Sequence, residues 1–409
     1  VTHPPCVAVI GGGPIGSCAA VALAERGFRV AWFEANHPAE GDFSRVPMSC
    51  PWAAGQVLGR SFEPGTLAAQ LGIRTLERLI ALHDAGRVDS YPRPWLVCAG
   101  KGSEPAEAAA REALDTAWRS GALDGFTRLS RNELESFAGL RADEIEFAVC
   151  DPWARGVDPR MLAVQLARRA AETPGVEPHF GSIVTQIEGT TLHTLDHGVA
   201  TKHHADAVLI CVGVQAVRGS EAPLELNGAP LHTLIPAAEA TYLHVFDHRS
   251  PTHMPSVLFS AAGPATIARY EVFGAGRAAI VPHLPEAARA FDVNPLLTDV
   301  PGLRRMLDTH FSSRSEAEAS TDAGRDTIAE LLSRLVAHNL LPGCAGGPAI
   351  TETTIAKYLR HLQPDGAPTI EWLEAQVPTL YVQPTNGRGL TQCAGLGEWA
   401  AALLADVLT

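Results

Sequence analysis

Short apolar blocks alternate along the chain with longer stretches of helical period, and glycine, proline or polar turns separate them. Residues 7–10 (VAVI) and 28–33 (FRVAWF) read as strands on either side of a small-residue helix over 17–26. A longer helix is predicted over 64–86, where Leu67, Leu71, Leu76, Leu79 and Leu82 recur at roughly helical spacing. Strands follow at 95–98 and 147–150, with a helix over 106–120 and a helical turn at 132–135 between them. Asp158 before Pro159 combines an N-cap residue with a proline at the first helical position, so a helix is expected from there to about 171. Residues 176–180 and 183–187 read as strands. The run 206–213 is apolar enough to be a central parallel strand buried on both faces.

Beyond Gly213 the pattern changes. Residues 241–247, 256–261 and 266–273 are half-alternating, which suits an antiparallel sheet with one exposed face. A helical block over 303–309 and 323–339 carries Leu331, Leu332, Leu335 and Val336 as its buried stripe. A strand at 353–362, a turn at 364–368 and a strand at 380–383 lead to a final helix over about 393–407. Its small residues Ala394, Gly395, Gly397, Ala400 and Ala401 imply close packing against a neighbour.

The 409 residues are enough for two domains. A formal charge of -13, with no basic stripe, argues against general nucleic-acid binding. No apolar run reaches membrane-spanning length. The first strand is expected within a few residues of the start, which in this reading leaves no room for a signal peptide. Eight scattered cysteines, at 6, 18, 50, 98, 150, 211, 344 and 393, show no metal-ligand spacing and read as buried small residues in a reducing, cytoplasmic setting.

The candidate chemistry starts where the first strand ends. Gly11, Gly13 and Gly16 stand in a G-x-G-x-x-G pattern, with Pro14 and Ile15 inside it and Glu34 eighteen residues after the last glycine. Gly11 permits a tight turn, Gly13 lets a pyrophosphate approach the backbone, and Gly16 with Ala19 and Ala20 lets the helix sit close to the sheet. The helix N-terminus offers N–H groups to phosphates, and Glu34 can accept hydrogen bonds from a ribose diol. This segment alone leaves FAD and NAD open. A second glycine-rich run, 387–390, precedes the last helix, whose N-terminus can stabilise partial negative charge on a bound cofactor. The segment 35–59 is rich in small and turn-forming residues. It suits either a loop that approaches a flat ligand or an ordinary surface loop.

These motifs, with the GVDP sequence at 156–159 and the block 355–407, resemble the D-amino acid oxidase, glycine oxidase and sarcosine oxidase superfamily of FAD-dependent enzymes. The likeness runs over nearly the whole chain and is densest at 7–34, 151–172, 204–213 and 355–407. It implies an α/β fold with an α+β second domain. A Rossmann-like FAD-binding domain, with a central parallel sheet and three-layer packing, would comprise residues 1–60, 150–215 and 355–409. A substrate domain on a mostly antiparallel sheet with helices would comprise 61–149 and 216–354. The resemblance assigns the FAD pyrophosphate to Gly11, Gly13 and Gly16, the ribose to Glu34, and a backbone contact with adenine to Val184. Gly213 closes its strand near the diphosphate. Ser49, Cys50 and Ala53 lie in the segment that wraps the flavin. Asp365 and the run Gly387, Arg388, Gly389, Leu390 and Thr391 surround the isoalloxazine ring.

The implied reaction removes a hydride from the C–N bond of an amino acid or amine, gives an imine that hydrolyses, and passes the electrons to molecular oxygen. Arg360 matches the family arginine that pairs with a substrate carboxylate, for which its planar fork is suited; from the residues alone, a structural salt bridge or a surface position serves equally well. Arg269, Tyr270 and His244 on the predicted sheet, and Trp52 in the bulky loop 45–55, are the remaining pocket candidates, and each is equally at home as a structural residue. Tyr358 stands where the sarcosine oxidases attach FAD through cysteine, so non-covalent FAD is expected. Thr391 replaces the lysine with which those members activate oxygen. The alternatives are an FAD dehydrogenase or monooxygenase of secondary metabolism, or a flavoprotein scaffold without turnover. Substrate and oligomeric state are left open.

Overall fold

The computed structural model describes residues 3–43, 55–58, 65–100, 125–136, 145–213, 224–231, 367–383 and 389–409, positions 115, 118 and 119, and the strand backbones 238–247, 256–260, 267–273, 277–283, 290–291 and 353–361. In chain order the longer strands begin with β1 (Cys6–Ile10), β2 (Arg29–Glu34), β3 (Trp95–Gly100) and β4 (Ile145–Asp151). Next come β5 (Val176–Phe180), β6 (Ser182–Glu188), β7 (Thr191–Asp196), β8 (Val199–His204) and β9 (Ala207–Ile210). The later strands are β10 (Ala238–Asp247), β11 (Ser256–Ser260), β12 (Ile267–Phe273), β13 (Arg277–His283), β14 (Thr353–His361), β15 (Thr369–Leu373) and β16 (Thr379–Gln383). The helices are α1 (Pro14–Glu25), α2 (Leu67–Asp84), α3 (Arg131–Ser136), α4 (Pro159–Glu172) and α5 (Gly389–Leu408).

β1 sits inside a six-stranded sheet of order β15-β16-β9-β1-β2-β5, parallel except for the edge strand β15. Alternation along the strands sorts the core into two layers. Val7, Val9, Val30, Trp32 and Leu209 pack under α1, α2, α4 and α5. Ala8, Ile10, Ala31, Phe33, Val208 and Ile210 pack on Val184, Ile187 and Leu192 of a smaller antiparallel sheet built on β6, β7 and β8. A parallel strand covered on both faces must be apolar at every position, which is why 207–210 is continuously so. The α/β fold with a three-layer arrangement is therefore the one the sequence predicts.

The antiparallel sheet beyond Gly213 is also present. It runs from Ala290–Phe291 through β10, β13, β12, β11, β3 and β4 to Thr127–Arg128, with β14 on the other edge of β10. Only β11 and β3 pair in parallel among these strands. Two elements bear on the expected domain limits. α2 lies within 61–149, yet its Leu71, Leu79 and Leu82 belong to the core under the six-stranded sheet. β14 spans the expected limit at 355 and pairs along its whole length with β10.

Several elements differ from the reading of the sequence. The hairpin β7–β8 is not predicted by it; its signal is the His197-Gly198 turn, where φ is 50° and 88°. β13 and β15 were also not predicted. α5 begins at Gly389, four residues before the expected start, so Gly389, Leu390 and Thr391 form its first turn. The predicted helices at 303–309 and 323–339 lie outside the described residues, as does most of 106–120.

Candidate functional site

The carboxyl end of β1 is built for close approach. Gly11 has φ of 109°, its N–H donates to the Phe33 carbonyl at 2.9 Å, and a Cβ there would stand 2.5 Å from the Cys211 carbonyl oxygen. Gly12 leaves no more room, since its Cβ would meet Glu34 Cγ at 2.6 Å. A Cβ at Gly16 would overlap the Gly11 carbonyl. Gly13 is the N-cap of α1, in an extended conformation open to any residue (φ −65°, ψ 174°), and no side chain caps the helix. Pro14 occupies the first helical position, Ile15 is buried beside it, and no acid sits in the first turn. The helix's own first turn thus leaves its N–H groups uncapped, the arrangement that takes a phosphate.

Glu34, at the end of β2, is buried and held from three directions. Gly12 N–H donates to Oε2 at 2.5 Å, and Asn36 donates to Oε1 from its backbone at 2.9 Å and from Nδ2 at 3.0 Å. A carboxylate offers about four acceptor sites. These donors fix its orientation and leave acceptor capacity on Oε2 for a ligand hydroxyl. Val184 is buried against β2 at a bulge between Val184 and Gln186, so it would meet a ligand only through its backbone. Gly213 has φ of 61° with open space where a Cβ would stand, at the same carboxyl edge as Gly11.

β16 runs parallel to β9, so the α5 start emerges from that carboxyl edge too. α5 packs on α1 through Gly397, whose Cβ would lie 2.6 Å from the Ile15 carbonyl oxygen and 2.9 Å from Ala19 N. It packs on α2 through Gly395, which donates to Thr75 Oγ1 at 2.9 Å. The contact with α1 lies about two turns into α5, so the first α5 turn projects past the α1 start. Leu390 and Thr391 are buried in that turn, and Gln392 is fully enclosed with neither amide atom hydrogen-bonded. Two helix N-termini therefore address one sheet edge at different depths, as a long dinucleotide requires. The glycine cradle fits FAD.

The pocket candidates lie on the antiparallel sheet. His244 and Tyr270 are both opposite Ile280 and so occupy one cross-strand row. Arg269 is opposite Val281, one step along β12, and by alternation belongs to the other face. Arg360 on β14 is directly opposite Glu239 on β10 in the strand register, a juxtaposition that the sequence reading did not single out. Ser49, Cys50, Trp52, Ala53, Asp365, Gly387 and Arg388 lie outside the described residues.

Burial pushes the Cys150 thiol up to about 12, with Asp151 adding to the rise, and raises the Tyr381 hydroxyl as well. Both are therefore neutral groups near pH 7. Among the described residues no cluster of His, Cys, Asp or Glu could hold a metal ion, and no helix is long and apolar enough to cross a membrane.

The family model described as FAD dependent oxidoreductase matches residues 6–403. Among solved structures, glycine oxidase from Geobacillus kaustophilus superposes with a TM-score of 0.67 at 19% identity, covering 100% of this chain and 95% of that one. L-proline dehydrogenase from P. horikoshii gives 0.67 at 14%, over 100% and 95% of the two chains. L-amino acid deaminase from Proteus vulgaris gives 0.67 at 15%, over 99% and 94%. At these identities the structural likeness speaks for the fold. No curated protein sequence matches the chain significantly.

Proposed function

The chain belongs to the FAD-dependent oxidoreductase family, enzymes acting on amino acids and amines, and on that premise we propose that it oxidises the C–N bond of an amine carrying a carboxylate. An α-amino acid and a cyclic or secondary amino acid both fit. The observation that carries this reading is the convergence of the α1 and α5 starts on one carboxyl edge, in a chain whose antiparallel sheet bears Arg360 on β14.

In this proposal the α1 start with Gly11, Gly13 and Gly16 holds the diphosphate of FAD. Glu34 takes the ribose, the Val184 backbone meets adenine, and Gly213, Gly389, Leu390 and Thr391 complete the cradle. The cofactor is held without a covalent bond. When bound, FAD supplies a two-electron acceptor for a hydride. Arg360 pairs with the substrate carboxylate and thereby fixes the α-carbon. His244, Tyr270, Arg269 and Trp52 are the proposed pocket residues. The substrate amine enters neutral; loss of hydride from carbon and a proton from nitrogen leaves an imine, which water hydrolyses. No strong protein base is needed for that balance. Molecular oxygen is the proposed final acceptor. The second reading is a dehydrogenase that passes electrons to another acceptor; Thr391, which stands where the sarcosine-oxidising members carry lysine, is compatible with both readings.

The protein should be yellow, and acid precipitation should leave its flavin in the supernatant. An anaerobic panel of amino acids and secondary amines should include one that bleaches it, and air should then restore the colour with peroxide release. Failure of every amine to bleach a flavin-loaded protein would overturn the proposal. Bleaching by an amine with recolouring only by an added electron-accepting dye would select the dehydrogenase. Rapid bleaching by NADPH would point to a monooxygenase.

A further inference from the structure

The turn from β1 into α1 runs through three consecutive glycines, Gly11, Gly12 and Gly13. Glycines have little conformational preference of their own, so other groups must choose how each peptide plane is turned. A trans peptide points its carbonyl and its N–H in opposite directions, and fixing one fixes the other. The hydrogen bonds of the turn show which side chains do this.

β2 holds the peptide joining Gly11 to Gly12 at both ends. Trp32, fully buried, donates its indole N–H to the Gly11 carbonyl at 3.2 Å, and Glu34 accepts the Gly12 N–H. α1 holds the next peptide, where the buried Ser17 hydroxyl donates to the Gly12 carbonyl at 3.3 Å. The Gly13 carbonyl takes the Ser17 N–H at 2.9 Å, and the Gly11 N–H goes to the Phe33 carbonyl. Among the described residues, that leaves the Gly13 N–H as the one main-chain donor of the three glycines without a protein acceptor. It lies at the other end of the plane whose carbonyl Ser17 holds. Gly13 is partly exposed and starts a helix that no side chain caps. Packing alone asks only for an apolar side chain at position 32, and alanine would serve the helix better at 17. What these two residues add is an indole N–H and a hydroxyl, each spent on a glycine carbonyl.

We propose that Trp32 and Ser17 are positioning residues of the dinucleotide site: they hold the Gly11 and Gly12 carbonyls inward, so that the turn presents the Gly13 N–H, and no carbonyl, to a diphosphate. Neither side chain touches the cofactor. A carbonyl oxygen turned towards a phosphate would repel it, and a turn held ready before the ligand arrives loses less freedom on binding. This rests on the chain holding FAD and is independent of which amine it oxidises.

Trp32→Phe keeps an aromatic ring in the core and removes the donor. Ser17→Ala removes the hydroxyl and favours the helix. Val30→Ala, a packing change in the same core layer of β2, is the control. In the purified holoenzyme, FAD release on dilution should show a Kd weaker by about threefold to tenfold for the first two variants. The phosphorus NMR resonances of the bound diphosphate should move in both. Val30→Ala should lower the thermal midpoint and leave Kd and resonances in place. Unchanged Kd and resonances in Trp32→Phe and Ser17→Ala would overturn the proposal. So would a weaker Kd that Val30→Ala matches while the resonances stay in place. Ser17→Ala decides by the same two readouts if Trp32→Phe does not fold. A parent protein purified without flavin would overturn the family-level premise, and the proposal with it.

Discussion

The Gly12 N–H donates to Glu34 Oε2 at 2.5 Å, joining two residues 22 positions apart. The glycine turn and the acid at the end of β2 are thus one assembly. Gly12 cannot be replaced by a larger residue without striking Glu34 Cγ, and Glu34 cannot be shortened without orphaning the Gly12 amide. Glu34→Ala should weaken FAD binding about tenfold to a hundredfold, the scale expected for hydrogen bonds to a charged group. Flavin release on dilution measures it. An alanine variant that retains FAD like the parent would show that the acid only braces the turn.

Close helix packing at the cofactor edge depends on glycine. Gly16→Ala sets a methyl group on the Gly11 carbonyl, and Gly397→Ala sets one 2.6 Å from the Ile15 carbonyl oxygen. In both cases the nearest atoms are backbone, which cannot swing aside. Each should destabilise the protein by about 1–3 kcal/mol through overpacking. Thermal unfolding should show a lowered midpoint, with Gly16→Ala also losing FAD. An unaltered midpoint in either variant would mean that α1 or α5 has slack at that contact.

His179 stacks on Phe33 with ring centroids 4.6 Å apart and meets the His203 ring at 4.8 Å. Burial lowers its pKa below 6.5, and repulsion from His203 lowers it further, against the opposing Glu177 and Asp196 carboxylates. The unfolded chain therefore binds the proton more readily than the fold. Stability is unaffected by this group above about 6.5 and falls as pH drops from there towards the lowered value. His179→Phe should flatten that part of a stability–pH curve. A wild-type curve that stays flat between pH 7 and 5 would count against the mechanism.

A second acid limb belongs to Asp196. Burial pushes its carboxyl up, but hydrogen bonds from Ser182, Thr201, Thr194 and His203 outweigh it and hold the pKa at about 2. Its contribution is present above 3.8 and is lost as pH falls towards 2. Asp196→Asn should remove this limb and, by taking away a carboxylate that opposes the lowering at His179, deepen the one that begins near 6.5. Loss of both limbs together would show that the two groups titrate as one network.

Arg360 and Glu239 are register partners on β14 and β10. Opposite charges at directly opposed positions attract as a rule, so the substrate carboxylate proposed for Arg360 would compete with Glu239. Glu239→Gln should tighten the binding of a simple carboxylate such as benzoate, read from the flavin spectrum. Arg360→Met should raise KM for carboxylate substrates about tenfold to a hundredfold and leave amines without a carboxylate little changed. Equal losses for both substrate types would assign Arg360 to structure.

Elements whose signals are local can be read without the structure. The β1–α1–β2 glycine fingerprint, the Asp158 cap, whose Oδ1 accepts from Arg160 N and Met161 N, and the continuously apolar β9 all follow from spacing and residue type within a few turns. Alternation also tells which positions are buried together on one face. Which strands stand side by side emerges in the folded chain alone, because pairing depends on burial between distant segments that no local period encodes. Folding set β5 beside β2, so that His179 meets Phe33, and β14 beside β10, so that Glu239 and Arg360 share a register position. It also started α5 at Gly389, which draws Gln392 into the first turn. A glutamine reads as a surface residue in a sequence, and the burial of Gln392 follows only from the packing of the folded chain.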